Sequence, residues 1–166
     1  MRSLIQIILV ICALTSCKSQ KSSQESSFKD SLEKYNSLKD RSHFSLKAGS
    51  CMGTCPVFEF FFVSDSLVLL TAKENILSTG NFYYQLNEKE AKDLTDLLLL
   101  DWDKYESEYT TTMKDLPSMD FKIKSKDGIK RIRVAGTDPE ILFSIKEEII
   151  KKIDAYEWEK MEISKK

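Results

Sequence analysis

The spacing of two cysteines is the feature of this chain that most directly suggests chemistry. Cys51 and Cys55 are four positions apart, and Gly53 between them permits the tight turn that would bring their sulfur atoms together. Such a pair serves in a structural disulfide, in thiol–disulfide exchange, or in binding a soft metal ion, for which Met52 would be a further ligand. Exchange chemistry favours a thiol at a helix N-terminus, whereas Pro56 leads here into a predicted strand.

Metal binding by the cysteines has one sequence resemblance in its favour. Residues 51–56 are similar to the Cys-x-x-x-Cys-Pro motif of the Sco copper chaperones, which implies copper binding in a thioredoxin fold with a later His. Here the single His, His43, precedes the cysteines on the polar side of a predicted strand, and the sequence lacks the βαβ pattern of that fold. Two thiolates also leave a structural zinc site incomplete. We predict a structural disulfide between Cys51 and Cys55 and no cofactor, with a thiol-redox or copper-binding role as the alternative.

Four basic residues on two neighbouring predicted strands form a second candidate site. Lys122 and Lys124 alternate with apolar residues on one strand, and Arg131 and Arg133 do so on the next. On the outward face of one hairpin they would make a basic stripe that attracts lipid headgroups, glycan or an acidic partner protein. The alternative is an ordinary solvated sheet face, whose charges discourage edge-to-edge pairing.

The sequence contains no recognisable catalytic pattern. It has no Gly-x-Ser-x-Gly, no His-Glu-x-x-His and no phosphate-binding glycine loop. An acidic run over residues 101–108 lies in a predicted polar loop, which offers no contrast of environments for a pair of acid–base carboxylates. The chain has 25 basic and 26 acidic residues, so nothing in its charge suggests nucleic acid as a partner. We therefore predict a non-catalytic binding domain.

The N-terminal residues predict where in the cell this domain is located. Arg2 precedes an apolar segment over residues 4–13 that is about half the roughly 20 residues needed to span a bilayer, which is typical of a signal peptide. The segment ends in Leu14-Thr15-Ser16-Cys17, which resembles the bacterial lipobox. In proteins with that motif the Cys carries a diacylglyceryl thioether, the leader is removed before it, and the new N-terminus is acylated. The resemblance implies a signal peptide over residues 1–16 and lipid on Cys17.

The residues that follow Cys17 bear on the membrane to which the lipid binds. Proteobacterial lipoproteins kept at the inner membrane usually have Asp next, and surface-exported lipoproteins of Bacteroidota tend to have acidic residues within a few positions. Residues 18–21 are Lys-Ser-Gln-Lys. We therefore expect an outer-membrane lipoprotein that faces the periplasm and is held by its acyl chains, with an envelope protein or a glycan as further partner.

Local patterns divide the rest of the chain into a tether and one folded domain. Residues 17–41 comprise the lipidated Cys, a flexible tether without apolar side chains over 18–27, and a short helix indicated by Phe28, Leu32, Tyr35 and Leu38. Residues 42–166 form the domain. Alternating apolar residues predict strands over 43–48, 57–63, 67–73, 79–86, 119–124 and 129–134.

Two helices complete the predicted domain. A capping box at residues 87–90 begins a helix that runs to about Leu100, and Asp138-Pro139 begins a second helix that continues to the end of the chain. The predicted order is β-β-β-β-α-β-β-α. We expect an α+β fold in which two amphipathic helices pack on one face of an antiparallel sheet of about six strands.

From His43 to about Ile149 the chain resembles DUF6438, a domain of unknown function found mostly in Bacteroidota. The resemblance rests on residues 49–58, which read Cys-x-Gly-x-Cys-Pro followed by an apolar strand, on the strand that begins at Gly80, and on Asp115-Leu116-Pro117 before another strand. Lys114 stands where the family usually has Thr. The resemblance implies the domain boundary and an envelope setting, and it implies no established activity.

Overall fold

The computed structural model describes residues 32–111, 116–136 and 139–161. The chain divides into two units, Met1–Asn36 with Ile163–Lys166, and Ser37–Glu162. Residues 32–40 are helical (α1). No helix in the described ranges is long and apolar enough to cross a membrane. The predicted signal peptide, Cys17, the tether over 18–27 and Phe28 all lie outside the described residues.

The second unit is built on a single sheet. Its strands are β1 (Phe44–Ala48), β2 (Val57–Ser64), β3 (Leu67–Glu74), β4 (Gly80–Gln85), β5 (Glu108–Thr110), β6 (Ser118–Ser125), β7 (Gly128–Ala135) and β8 (Glu159–Lys160). Within the described residues the spatial order is β5-β7-β6-β1-β2-β3-β4-β8. The sheet is mixed, because β5 pairs parallel with β7 while the other neighbours are antiparallel.

The predicted alternation of apolar residues is confirmed in the strands. Phe58, Phe60 and Phe62 of β2 are buried on one face of the sheet, since successive side chains of a strand point to opposite faces. Phe61 and Val63, on the other face of β2, are also buried. This strand therefore carries apolar side chains on both faces, and it crosses the middle of the sheet.

Two α-helices follow β4 and β7, and local chemistry defines how they begin. Helix α2 (Glu88–Leu98) starts at the predicted capping box: the amide of Glu90 donates to Asn87 Oδ1 at 3.0 Å, and the amide of Asn87 donates to Glu90 Oε2 at 2.9 Å. It ends at Leu98, before the predicted Leu100. Helix α3 (Glu140–Ala155) has Pro139 as its N-cap, whereas Asp138, the predicted cap, lies outside the described residues.

Both helices bury their apolar residues against the same face of the sheet. Ala91 and Leu94 of α2 and Leu142 and Ile145 of α3 belong to one core cluster with the inward residues of the strands. A 3-10 helix (Trp102–Lys104) adds the indole of Trp102, whose ring centroid lies 6.0 Å from that of Phe44. The predicted α+β fold is confirmed.

Two short strands are additions to the six that the sequence predicts. β5 lies in the segment predicted to be a polar loop, and β8 follows α3, where the sequence predicts that the helix continues. Both occupy edges of the sheet and are only three and two residues long. They pair through main-chain hydrogen bonds to β7 and β4, so an apolar alternation is not needed to form them.

A charged pocket on the outer sheet face

A pocket of about 440 Å³ lies over β7, β6, β1 and β2. We call the face opposite α2 and α3 the outer face of the sheet. The four strands beneath the pocket are interior strands of the sheet, although β5 pairs with β7 only at residues 133–135. Six charged side chains line the pocket: Lys47, Glu59, Asp120, Lys122, Arg131 and Arg133.

The strand register arranges the outward side chains of these four strands in two rows. Residues directly opposite one another on antiparallel strands have Cβ atoms about 4.5–5.5 Å apart. The first, which we call the alternating row, consists of Arg133, Asp120, Lys47 and Glu59. The second, which we call the cation row, consists of Arg131, Lys122, Ser45 and Phe61.

Charges are balanced in the alternating row and unbalanced in the cation row. Positive and negative side chains alternate in the first, so every directly opposed pair attracts. In the cation row, Arg131 is directly opposite Lys122, and like charges in this position are destabilising. Neither side chain forms an ion pair with any residue that the structure describes. An anion between them would therefore be attracted by both.

Glu59 closes one end of the alternating row and is held by two lysines. Lys73 Nζ lies 2.7 Å from Glu59 Oε1, and Lys39 Nζ lies 3.4 Å from Glu59 Oε2. Burial by itself would raise the pKa of Glu59, but the hydrogen bond from Lys73 and the charges of both lysines hold that pKa below its usual value. Lys39 Nζ also lies 4.6 Å from the ring centroid of Phe61. This wall of the pocket is thus charged, paired and fixed in place.

Asp120 differs from Glu59 in having no such partner. It is half-buried in the alternating row between Arg133 and Lys47, and its carboxylate makes no hydrogen bond or ion pair within the ranges described. The pocket therefore contains an available acceptor as well as available cations. Ser107, which precedes β5, lines the pocket beside Arg133, whose amide donates to the carbonyl oxygen of Ser107 at 2.9 Å.

The structure brings together three of the four basic residues predicted to form a stripe. Lys122, Arg131 and Arg133 line the pocket, whereas Lys124 is exposed opposite Ile129 near the hairpin turn. The register explains the difference, because it places Lys122 opposite Arg131 and leaves Lys124 beyond both arginines. Local patterns did not identify Lys47 as a neighbour, since β1 and β6 pair across a long stretch of sequence.

The structure contains a disulfide between Cys51 and Cys55, with their Cα atoms 5.8 Å apart. It lies in the loop between β1 and β2, in which Met52 is 82% exposed. Asn75 Nδ2 donates to the carbonyl oxygen of Cys55 at 3.1 Å.

His43 is exposed and precedes β1, whose five residues separate it from the loop by about 17 Å. Across 32–111, 116–136 and 139–161, no group of three or more His, Cys, Asp or Glu side chains is placed to hold a metal ion.

Comparison with known proteins gives one match. Residues 42–157 match the family described as Domain of unknown function (DUF6438). This range begins just before β1 and ends after α3, so it includes every residue that lines the pocket, and Lys39 precedes it. No curated protein and no solved structure matches the chain.

Proposed function

Because the chain belongs to the DUF6438 family, whose description names no activity, we propose its function from the pocket: it is an envelope lipoprotein whose domain binds an anionic ligand. One observation carries the proposal. Arg131 and Lys122 are directly opposed in the cation row and have no ion-pair partner among the described residues. A bound anion replaces their mutual repulsion with charge-assisted hydrogen bonds.

The role we propose is binding without catalysis. General acid–base chemistry at neutral pH needs a carboxylic acid with a raised pKa or another group that titrates in that range. Glu59 has the opposite property, because Lys73 and Lys39 hold its pKa low and keep it ionised. The lining has two hydroxyls, Ser45 and Ser107, and His43 is not among its residues.

Attachment to the envelope is the second part of the proposal. Leu14-Thr15-Ser16-Cys17 supports lipidation of Cys17 and removal of residues 1–16, and Lys18 supports the outer membrane, facing the periplasm. The disulfide between Cys51 and Cys55 fits an oxidising compartment of this kind. Mass spectrometry of the mature N-terminus should find a lipid-modified Cys17. A Cys17→Ala chain that is fully processed and stays with the outer membrane would contradict the lipid anchor.

Anion binding is tested with inorganic sulfate on the purified lipoprotein in a non-ionic detergent, followed by amide chemical shifts. We expect shifts in β6 and β7, weaker binding at higher salt, and about a tenfold loss of affinity in Lys122→Gln and in Arg131→Gln, since each removes a charged donor. The matched control is Lys124→Gln, which makes the same change on the same strand outside the pocket. Equal losses in Lys122→Gln and Lys124→Gln, or no binding of sulfate or of any other small anion at low salt, would overturn the proposal.

A further inference from the structure

Asp120 is a residue that a site for a bare anion should not contain. Its carboxylate faces the pocket without a partner in the described chain, and Lys122 follows it on the same face of β6 after one intervening residue. Two residues of a strand span about 7 Å. Arg133 and Lys47 lie directly opposite Asp120 and offset part of its charge, and the part that remains weakens the binding of a ligand that is only an anion. A ligand that also carries O–H or N–H donors would instead satisfy this acceptor.

The cation row adds a polar and then an apolar group beside the two cations. Ser45 is one strand from Lys122 and Phe61 is two strands away, which are distances of about 4.8 and 10 Å. A ligand lying along this row meets two positive charges and a hydroxyl, and the row ends at the largely buried side chain of Phe61. The carboxylate of Asp120 lies beside that path in the neighbouring row.

We infer that the anionic ligand is an acidic sugar, a ring of hydroxyls that carries a carboxylate or a phosphate. This inference rests on the proposed function. The charged group lies between Arg131 and Lys122, and the ring hydroxyls donate to Asp120 and reach Ser45. The volume of about 440 Å³ lies within the range of small-molecule sites.

The pocket lies on the face of the sheet, where side chains rather than main-chain groups are presented. Peptides that bind a sheet through their main chain add a strand at an open edge. Residues 128–132 of β7 have such an edge, because within the described chain β5 pairs with β7 only at residues 133–135. An acidic peptide on that edge is therefore the alternative that the binding test must exclude.

The test compares three ring-shaped probes on the purified full lipoprotein in non-ionic detergent. Glucuronate has the charge and the hydroxyls, cyclohexanecarboxylate has the charge alone, and glucose has the hydroxyls alone. We expect glucuronate to bind about tenfold more tightly than cyclohexanecarboxylate, because its hydroxyls can donate hydrogen bonds to the charged carboxylate of Asp120. Glucose, which has no charge, should bind most weakly. Glucose 1-phosphate in a parallel titration distinguishes a phosphate from a carboxylate as the charged group.

Asp120→Asn should change the affinities of the two anionic probes in opposite directions. Removing the carboxylate charge should weaken glucuronate several-fold and strengthen cyclohexanecarboxylate, because the second ligand feels only the repulsion. The matched control is Asp127→Asn, an exposed carboxylate in the turn of the same hairpin, which should change neither affinity. The comparison of probes on the unmodified protein remains decisive if Asp120→Asn folds poorly.

The outcomes separate this inference from the proposed function. Equal affinities for glucuronate and cyclohexanecarboxylate, with Asp120→Asn strengthening both, would keep the anion site and overturn the sugar. Sulfate binding without binding of either sugar acid would do the same. Tighter binding of polyglutamate or of anionic phosphatidylglycerol vesicles than of the sugar acids, lost in Lys122→Gln, would replace the sugar with a peptide or a membrane. Failure of every anion, sulfate included, would overturn the proposed function itself.

Discussion

Opening the disulfide distinguishes a structural role of Cys51 and Cys55 from a chemical one. The perturbation is the double substitution Cys51→Ser, Cys55→Ser. The bond closes a loop of five residues, for which the chain-entropy relation gives about 2 kcal/mol at 25 °C. Little buried surface is lost with it, since Met52, Gly53 and Thr54 are exposed.

Two hydrogen bonds also hold the ends of the loop, so the loss in free energy of unfolding should not exceed the chain-entropy value. The amide of Gly49 donates to the carbonyl oxygen of Ser118 at 2.8 Å, and Asn75 Nδ2 donates to the carbonyl oxygen of Cys55. Neither hydrogen bond involves a sulfur atom, so we expect both to remain in the double variant. We therefore expect the free energy of unfolding to fall by about 1–2 kcal/mol, a decrease of roughly 5–10 °C in Tm for a domain of this size.

Urea unfolding followed by circular dichroism measures the change, and sulfate titration measures binding in the same samples. Met52→Ser is the matched control, because it alters the same exposed loop and leaves the disulfide intact. The reduced wild-type protein should behave as the double variant does, and both should bind sulfate normally. The structural role would be refuted by free thiols in protein taken from the periplasm, by stoichiometric metal, or by lost function at unchanged stability. Each of those results would favour the thiol-redox or copper-binding alternative.

Three further perturbations test other features of the structure. Glu59→Gln should lower the free energy of unfolding at pH 7 by about 1 kcal/mol, because two lysine contacts are lost. Since the pKa of Glu59 is below its ordinary 4.5, its stabilisation is complete above pH 4.5 and disappears as the pH falls through the lowered pKa, so wild-type and variant stabilities measured in urea should converge in acid. Tyr156→Phe should leave stability unchanged or raise it by about 1 kcal/mol in thermal unfolding, because the buried hydroxyl has no hydrogen-bond partner in the described chain and the ring still stacks on Tyr84. Burial, with Glu90, Tyr84 and Asp93 nearby, raises the pKa of Tyr156 to about 12, so in an alkaline ultraviolet titration the variant should lack an ionisation near pH 12. Limited proteolysis should cut within residues 18–27 and spare β1, and protection of 18–27 would contradict the predicted tether.

Patterns between neighbours in sequence were enough to predict most of the fold. The alternation in residues 57–63 and the turn before β3 define a hairpin, and Asn87 with Glu90 defines the start of α2. Each of these features is completed by contacts only a few residues away. The two short edge strands were not predictable in this way, since β5 depends on β7 and β8 depends on β4 for their main-chain partners.

The composition of the pocket depends on one long-range pairing. The basic residues of the β6–β7 hairpin are close in sequence, so three members of the pocket could be predicted from the pattern alone. Lys47 and Ser45 enter it only because β1 pairs with β6, and Glu59 and Phe61 enter because β2 then follows β1. A one-position shift in that register would point all four side chains to the core, where charged groups are costly.

The same four strands carry both rows, and the contrast between the rows is the strongest reason to assign a ligand to this face. Both rows are formed by the same strands, in the same register and on the same side of the sheet, so the same pairing preferences apply to both. In the alternating row every directly opposed pair has opposite charges, whereas in the cation row Arg131 lies directly opposite Lys122. Stability alone would favour opposite charges there as well. The pairing rule holds in the alternating row and fails in the cation row, and the pocket lies over both rows. The two cations without an ion-pair partner among the described residues are the observation on which the proposed anion site rests.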